Sequence, residues 1–188
     1  MNGMLQKRSM PLLSEIQYKS VFTFPVKEYY EKIGWDFSIE PFNKIAIEFI
    51  DSYRDLLPQA LLFNNVREVL NIIKNTGIQQ LILSAMQHEF LQESVSSLGI
   101  SNYFESLNGI SDHFAVSKQQ LAQRLFEQHG FSYQDTIMIG DTLHDAEIAK
   151  EMNVDCILIS GGHQSLERLT ESGFRVVETV NEIPAFLM

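Results

Sequence analysis

Two aspartates, Asp141 and Asp145, carry the strongest chemical signal in the sequence. Asp141 follows the short apolar run 136–139, and Asp145 stands at the predicted start of the next helix. Mg²⁺ prefers oxygen ligands and often takes only one or two protein carboxylates, so this pair predicts a site for one hard cation. Gly140 would let the backbone approach such a site closely. The residues alone also allow Asp141 to be a turn residue and Asp145 to be a helix N-cap.

A serine and a lysine elsewhere in the chain have the chemistry to bind an anion. Ser84 and Ala85 follow the apolar run 81–83, where a hydroxyl and backbone amides could hold a phosphate oxygen. Lys118 follows Ser117 in the first turn of a predicted helix. A cation is unfavourable at this end of a helix, because the helix dipole is already positive there, and a bound anion would offset that cost. A strand-end serine and a solvated lysine are the ordinary alternatives.

From residue 61 onward, helical and strand-like patterns alternate. The predicted strands are short, and they cover residues 81–83, 136–139, 156–159 and 175–177. Short strands separated by helices indicate a parallel sheet that is covered on both faces. The predicted fold class is therefore α/β, with a three-layer Rossmann-like core. Ligands of such sheets bind beyond the carboxyl ends of the strands, which is where the four polar residues Ser84, Lys118, Asp141 and Asp145 are expected to converge.

The first 60 residues have a different character, because their apolar residues are mostly aromatic or spaced helically. Phe42, Ile45 and Phe49 share one helical face. We therefore expect a helical unit over residues 1–60 and an α/β core over residues 61–188. Met4 and Leu5 already lie on a helical face with no capping residue before it, so the chain is expected to begin inside a helix.

The succession of a strand-end serine, a helix-start lysine and a strand followed by G-D-x-x-x-D resembles three consecutive motifs of the haloacid dehalogenase-like phosphatases. The resemblance runs from about residue 61 to the C-terminus, and the helical stretch is similar to the small cap of the phosphoglycolate phosphatase-like branch. It implies that Ser84, helped by the Ala85 amide, binds the transferring phosphoryl group and that Lys118 neutralises it. It also implies that Asp141 ligates Mg²⁺ and that Asp145 supports the metal.

The first motif of that superfamily, a D-x-D pair, is not found in this sequence. Its first aspartate forms an aspartyl-phosphate, and its second acts as general acid and base. No two aspartates of this chain are separated by a single residue. We therefore expect that a leading segment on the order of 20 residues, including a central strand, is absent. The sheet must then fill the gap, stay split or associate with another chain.

Three further residues could lie near the predicted site, namely His113, Thr142 and His163. Histidines and threonines in loops are more often merely solvated. The single cysteine, Cys156, lies in an apolar run and is expected in the core, so no intrachain disulfide is possible.

The composition narrows the range of partners. The net charge of -10 disfavours nucleic acid and anionic membranes, whereas a small phosphorylated metabolite stays possible because a local cation can outweigh the distant net charge. No apolar run approaches the roughly 18 residues of a membrane span, and the N-terminus has no signal-peptide pattern, so a cytoplasmic protein is expected.

Three functional hypotheses remain at this stage. The first is a Mg²⁺-dependent phosphatase that acts through an aspartyl-phosphate, here in a chain that lacks the nucleophile. The second is a non-catalytic remnant or pseudoenzyme that acts, if at all, by binding or association. A weaker third is a receiver-like or nucleotide-binding α/β domain, against which the lack of G-x-G-x-x-G argues. The substrate and the oligomeric state are left open.

Overall fold

The computed structural model describes residues 1–110 and 118–187, over which helices and short strands alternate. Parallel strands together with many helices confirm the α/β fold class. The helices are α1 (Asn2–Lys7), α2 (Glu15–Val21), α3 (Val26–Lys32), α4 (Phe42–Leu56), α5 (Val66–Asn75), α6 (His88–Ser97), α7 (Lys118–His129), α8 (Leu143–Met152) and α9 (Leu166–Thr170). Short 3₁₀ turns cover Leu57–Gln59, Ser101–Tyr103 and Val180–Phe186.

The described strands form two separate sheets. One sheet pairs β1 (Leu81–Gln87) with β2 (Ser106–Ile110) in parallel, and the other has the order β3 (Ile137–Gly140), β4 (Asp155–Ile159), β5 (Arg175–Val177). Strands β4 and β5 are also parallel. The expectation that a central first strand is missing stays a prediction.

Two element boundaries differ from their predictions near the candidate residues. Strand β1 continues beyond residue 83 to Gln87, although its pairing with β2 becomes irregular between Leu83 and Gln87, so Ser84 lies where regular pairing stops. Helix α8 begins at Leu143 rather than at Asp145. The predicted helix cap at Ser117 lies outside the described residues.

Contacts divide the chain into two compact units. Unit 1 consists of Met1–Leu56, Met138–Glu147 and Cys156–Glu178, and unit 2 takes the described residues of Leu57–Ile137, Ile148–Asp155 and Thr179–Met188. The predicted boundary between a cap region and a core near residue 60 stays a prediction.

The core of unit 1 is mainly aromatic. Tyr29, Tyr30 and Trp35 are almost fully buried, and α1 packs Met4 and Leu5 into the same cluster. Buried aromatic rings remove a large apolar area from water, and this burial explains why α1 is helical although no side chain caps its first turn.

An ion-pair network around Arg8 lies next to this aromatic core. Arg8 donates to both oxygens of Glu40, at 2.6 and 2.8 Å, and to Glu48 at 2.6 Å, and its guanidinium lies 5.2 Å from the centre of the Trp35 ring. The hydrogen bond from Arg8, more than any other contact, lowers the pKa of the Glu40 carboxyl to about 2.

Unit 2 has a smaller aliphatic core. Leu91, Val95 and Ile100 are buried, with Ile82 and Leu107 packed against them. The side chains of β1 are only half-buried or exposed, in contrast with Cys156, Ile157 and Leu158 of β4 in unit 1, which are fully buried. Cys156 is therefore a core residue, as predicted. None of the helices within the described ranges is both long and apolar enough to cross a membrane.

Candidate functional site

Asp141 lies on the short turn between β3 and α8, and Asp145 lies in the first turn of α8, both in unit 1. The Asp145 carboxyl is 3% exposed, and its Oδ2 atom accepts hydrogen bonds from the amides of Asp141 and Thr142, both at 3.1 Å. The Thr142 hydroxyl donates to the same oxygen at 2.8 Å. Asp145 therefore holds the backbone from which the Asp141 side chain projects.

Thr142 and Asp145 cap α8 reciprocally. Thr142 precedes the helix, its hydroxyl also accepts from the Asp145 amide at 3.4 Å, and the Asp145 carboxylate accepts from the Thr142 amide. This is the geometry of a capping box, with aspartate in the place usually taken by glutamate or glutamine. The negative charge lies at the N-terminus of the helix, where the dipole favours it.

The Asp141 carboxylate is fixed by the loop that follows β4. The backbone amide of His163 donates to Asp141 Oδ2 at 2.8 Å. A β-carbon at Gly162 would overlap this carboxylate, and a β-carbon at Gly140 would overlap that of Asp145. Glycine at these two positions is therefore required by close approach of the two carboxylates.

Aromatic side chains of the helical stretch surround His163. The Tyr18 hydroxyl lies 2.6 Å from His163 Nδ1, and the Phe22 ring stacks on the imidazole with 4.8 Å between ring centres. Burial, followed by the nearby Tyr29 and Asp141, raises the pKa of the Tyr18 hydroxyl well above its usual value. Tyr18 is then a protonated donor at neutral pH, and we assign Nδ1 of His163 as the acceptor.

A buried glutamine completes these connections. Gln164 is 1% exposed; its Oε1 atom accepts from the Leu143 amide at 2.7 Å, and its Nε2 atom donates to the Phe22 carbonyl at 3.0 Å. Arg168 donates to the same carbonyl and to that of Lys19 at the end of α2. The loop after β4 is thus bonded both to α2 and to the first residue of α8.

The residues predicted to bind phosphate belong to unit 2. The Ser84 hydroxyl is half-buried and accepts from the Met86 amide at 3.1 Å, so its own hydrogen remains available for donation. Ala85 is exposed. Lys118 is the first described residue of α7, and α7 packs against β1, so Ser84 and Lys118 lie on contacting elements.

The carboxylates offer limited ligation to a metal ion. No group of three or more His, Cys, Asp or Glu side chains that could hold a metal ion is found within residues 1–110 and 118–187. The Oδ2 atom of Asp145 already accepts three hydrogen bonds from Asp141 and Thr142. By contrast, Oδ1 of Asp141 makes no hydrogen bond to any residue that the structure describes. Such a donor set is compatible with Mg²⁺, which takes few protein carboxylates, and Oδ1 of Asp141 is the oxygen that could contact it.

The structure brings some predicted site residues together and leaves others in separate units. Asp141 and Asp145 are joined through the Asp141 amide, and Ser84 and Lys118 lie on contacting elements of the other unit. Convergence of all four on one cleft stays a prediction. His113 lies outside the described residues.

Sequence reasoning gave too little weight to two residues that it treated as more often solvated. Thr142 is 3% exposed and caps α8, and His163 contacts Asp141 and Tyr18. The T-x-x-D spacing of Thr142 and Asp145 was a usable signal for the cap. The contact of Tyr18 with His163 joins residues 145 positions apart, and no local pattern indicates it.

Parallel strands followed by carboxylate and hydroxyl side chains define an α/β protein of the kind that binds ligands beyond its strand ends. The chain belongs to the haloacid dehalogenase-like hydrolase family, whose family model matches residues 1–159. This confirms the resemblance drawn from the Ser84, Lys118 and Asp141 motifs.

Relatives and solved structures agree with this assignment. A phosphoglycolate phosphatase of Colwellia psychrerythraea is 29% identical over 72% of this chain and 61% of its own length. Another from Pseudomonas putida is 23% identical over 61% of this chain and 43% of its own length. The chain thus spans about half the length of the curated relatives that it matches.

Two solved structures share the fold at low sequence identity. A haloacid dehalogenase-like hydrolase of Streptococcus pneumoniae has a TM-score of 0.80 at 18% identity, covering 98% of this chain and 86% of that one. A predicted phosphoglycolate phosphatase of Haemophilus somnus has a TM-score of 0.77 at 15% identity, covering 100% and 88% of the two chains.

Proposed function

We propose that this chain carries the phosphate-binding and metal-binding parts of a Mg²⁺-dependent phosphatase that hydrolyses a small phosphomonoester. The observation that carries the proposal is the turn between β3 and α8. There a buried Asp145 fixes the backbone while the Asp141 carboxylate, held on one oxygen by the His163 amide, keeps the other oxygen for a cation.

Each residue has a role in that chemistry. Ser84 donates its hydroxyl hydrogen to a phosphoryl oxygen, the Ala85 amide adds a second donor, and Lys118 neutralises the negative charge. Asp141 holds Mg²⁺, with Asp145 behind it, and when bound the cation would offset charge on the phosphoryl oxygens. Catalysis of this kind is mainly positioning and electrostatic stabilisation, because the transferring group develops charge on its oxygens.

The nucleophile of this chemistry is not among the residues of this chain. In the proposed reaction, a carboxylate oxygen attacks phosphorus, the ester oxygen leaves with a proton, and water then hydrolyses the aspartyl-phosphate. That step needs the D-x-D pair, which the sequence does not contain. We therefore expect that this chain binds phosphate and Mg²⁺ but does not hydrolyse a phosphomonoester.

The substrate is proposed only as a class. The relatives include phosphoglycolate phosphatases and a 5'-nucleotidase of Pseudomonas aeruginosa that is 24% identical to this chain. The names of these relatives refer to phosphate esters of different size. A small phosphorylated metabolite and a cytoplasmic location belong to the same proposal.

The decisive experiment compares this chain with one extended at its N-terminus by a strand that carries D-x-D. With a generic phosphate ester at equal protein concentration, the short chain should show only the background rate. The extended chain should show turnover that EDTA abolishes and that Asn in place of the first added aspartate removes. Loss of a covalent nucleophile commonly removes several orders of magnitude in rate. EDTA-sensitive activity of the short chain that Asp141→Ala abolishes would contradict the account of the missing nucleophile.

The second candidate function is that of a non-catalytic remnant. The lack of a D-x-D pair favours it directly. An extended chain that folds, binds phosphate and still shows no turnover would support this alternative over the enzyme.

A further inference from the structure

Two hydrogen bonds connect helix α2 to the carboxylate proposed to bind the metal. The first joins the Tyr18 hydroxyl to His163 Nδ1 at 2.6 Å, and the second joins the His163 amide to Asp141 Oδ2 at 2.8 Å. Both hydrogen bonds involve His163. Its ring is bonded to Tyr18, and its backbone amide is bonded to the Asp141 carboxylate.

The His163 ring has no other strong anchor in the part of the chain that the structure describes. It is exposed to solvent, with Phe22 stacked on one face and Tyr18 against its edge at 5.9 Å between ring centres. Stacking permits sliding, whereas a hydrogen bond of 2.6 Å between Tyr18 and Nδ1 fixes the ring in its plane. The Tyr18 hydroxyl therefore decides where this ring lies.

The backbone next to His163 has little freedom to adjust on its own. Gly162 approaches the Asp141 carboxylate so closely that a β-carbon would overlap it. Gln164 is bonded to Leu143 and to the Phe22 carbonyl. Among the described residues, the bond of the His163 ring to Tyr18 is therefore the remaining contact that can restrain the His163 amide and, through it, the Asp141 carboxylate.

We propose that Tyr18 and His163 are positioning residues for the Asp141 carboxylate. The pair holds Oδ2 on the His163 amide and thereby directs Oδ1 to the cation. This inference rests on the proposed function, because it assigns a partner to the residue that would hold the metal. Partners that orient a metal ligand from behind typically change metal affinity by about 10- to 100-fold when they are removed.

The test uses the full chain with Tyr18→Phe, which removes only the hydroxyl, and with His163→Ala. Tyr53→Phe is the matched control, because this exposed tyrosine of α4 packs on Phe49 in the same unit and makes no hydrogen bond to a described residue. Asp141→Ala removes the proposed ligand itself. Thermal melts confirm that each variant is folded.

The first measurement is hydrogen exchange of the His163 amide by NMR, without metal. Tyr18→Phe should speed this exchange about 10-fold relative to Tyr53→Phe, because His163 loses its own bond to α2 while the bonds of Gln164 and Arg168 remain. The second measurement is the affinity for Mn²⁺, followed by its paramagnetic effect on water relaxation. Tyr18→Phe should weaken binding about 10-fold, the low end of the range for such partners, and His163→Ala at least as much.

The outcomes separate this inference from the proposed function. If Mn²⁺ binding is lost in Asp141→Ala but is equal in Tyr18→Phe and Tyr53→Phe, the positioning role is overturned while the metal site stands. Unchanged exchange of the His163 amide in Tyr18→Phe overturns it as well. If the unmodified chain binds no Mn²⁺, or if Asp141→Ala binds it equally well, the metal site of the proposed function fails, and the positioning role fails with it.

Discussion

Replacing Thr142 by valine removes one hydroxyl from the turn that holds both carboxylates and leaves a side chain of nearly the same shape. The lost bonds are the 2.8 Å donation to Asp145 Oδ2 and the longer 3.4 Å acceptance from the Asp145 amide. A hydrogen bond to a charged group contributes about 1.5–3 kcal/mol, and a long cap bond contributes at the low end of about 0.5–2 kcal/mol. Because Asp145 is almost fully buried, water cannot replace the hydroxyl.

We therefore expect Thr142→Val to lower the free energy of unfolding by about 2–3 kcal/mol. For a chain of this size, each kcal/mol shifts Tm by about 2–4 °C, so Tm should fall by about 4–12 °C. Thr142→Ser, which keeps the hydroxyl, should recover most of the loss.

The assay is urea and thermal unfolding followed by circular dichroism. Thr170→Val is the matched control, because its exposed hydroxyl donates only to the Glu167 carbonyl one turn earlier, so the expected change is within about 0.5 kcal/mol. If Thr142→Val and Thr170→Val unfold at the same urea concentration, Thr142 does not hold the turn, and the cap geometry does not stabilise the site.

Three other perturbations have outcomes that the structure determines. The Tyr29 hydroxyl is buried without a hydrogen-bond partner among the described residues, so Tyr29→Phe should leave stability unchanged or raise it by about 1 kcal/mol, and a clear loss in urea unfolding would reveal a missed partner. The pKa of Glu40 is lowered from 4.5 to about 2, so its contribution to stability is present above pH 4.5 and is lost as the pH falls through about 2. Glu40→Gln should reduce the decrease of Tm between pH 4.5 and about 2. An unchanged decrease of Tm would show that the ion pair with Arg8 does not stabilise the fold. Calorimetry should find Mg²⁺ binding weak, because Asp141 and Asp145 alone leave the site short of ligands, and tight binding lost in Asp141→Ala would mean that other ligands exist.

The sequence predicted those elements whose residues carry a strong local pattern. The apolar spacing of α4 and the three short strands after residue 130 are confirmed, with strand ends shifted by at most one residue. Such elements are encoded in the period of their side chains, which is visible without a partner.

Elements that depend on a distant partner were missed. Strand β2 contains Ser106, Asn108 and Gly109, which are poor strand formers, and it is a strand because it pairs with β1 and because Asn108 donates to the Ile82 carbonyl at 3.0 Å. Helix α2 is different, because its Ser14–Gln17 capping box was present in the sequence and was overlooked.

The candidate site shows the same division between local and distant contacts. The G-D-x-x-x-D spacing predicted that Asp141 follows a strand and that Asp145 lies near the start of a helix, and the structure places both residues there. The partners that fix Asp141 could not be predicted, because His163 lies 22 residues away and Tyr18 binds it from a separate helix. Pairing of this kind is decided by tertiary packing and not by any period or spacing.

Asp145 shows why a structural role and a functional role need not compete. In the sequence, a helix cap and a metal-supporting carboxylate were alternatives for this residue. In the structure, the carboxylate is part of the cap of α8, and the same oxygen accepts from the Asp141 amide at 3.1 Å. Capping the helix is therefore the means by which Asp145 fixes the backbone of Asp141, the proposed metal ligand. A substitution that weakens the cap should change metal binding in the same direction as stability, which is why Thr142→Val and Asp141→Ala are best measured on the same Mn²⁺ titration.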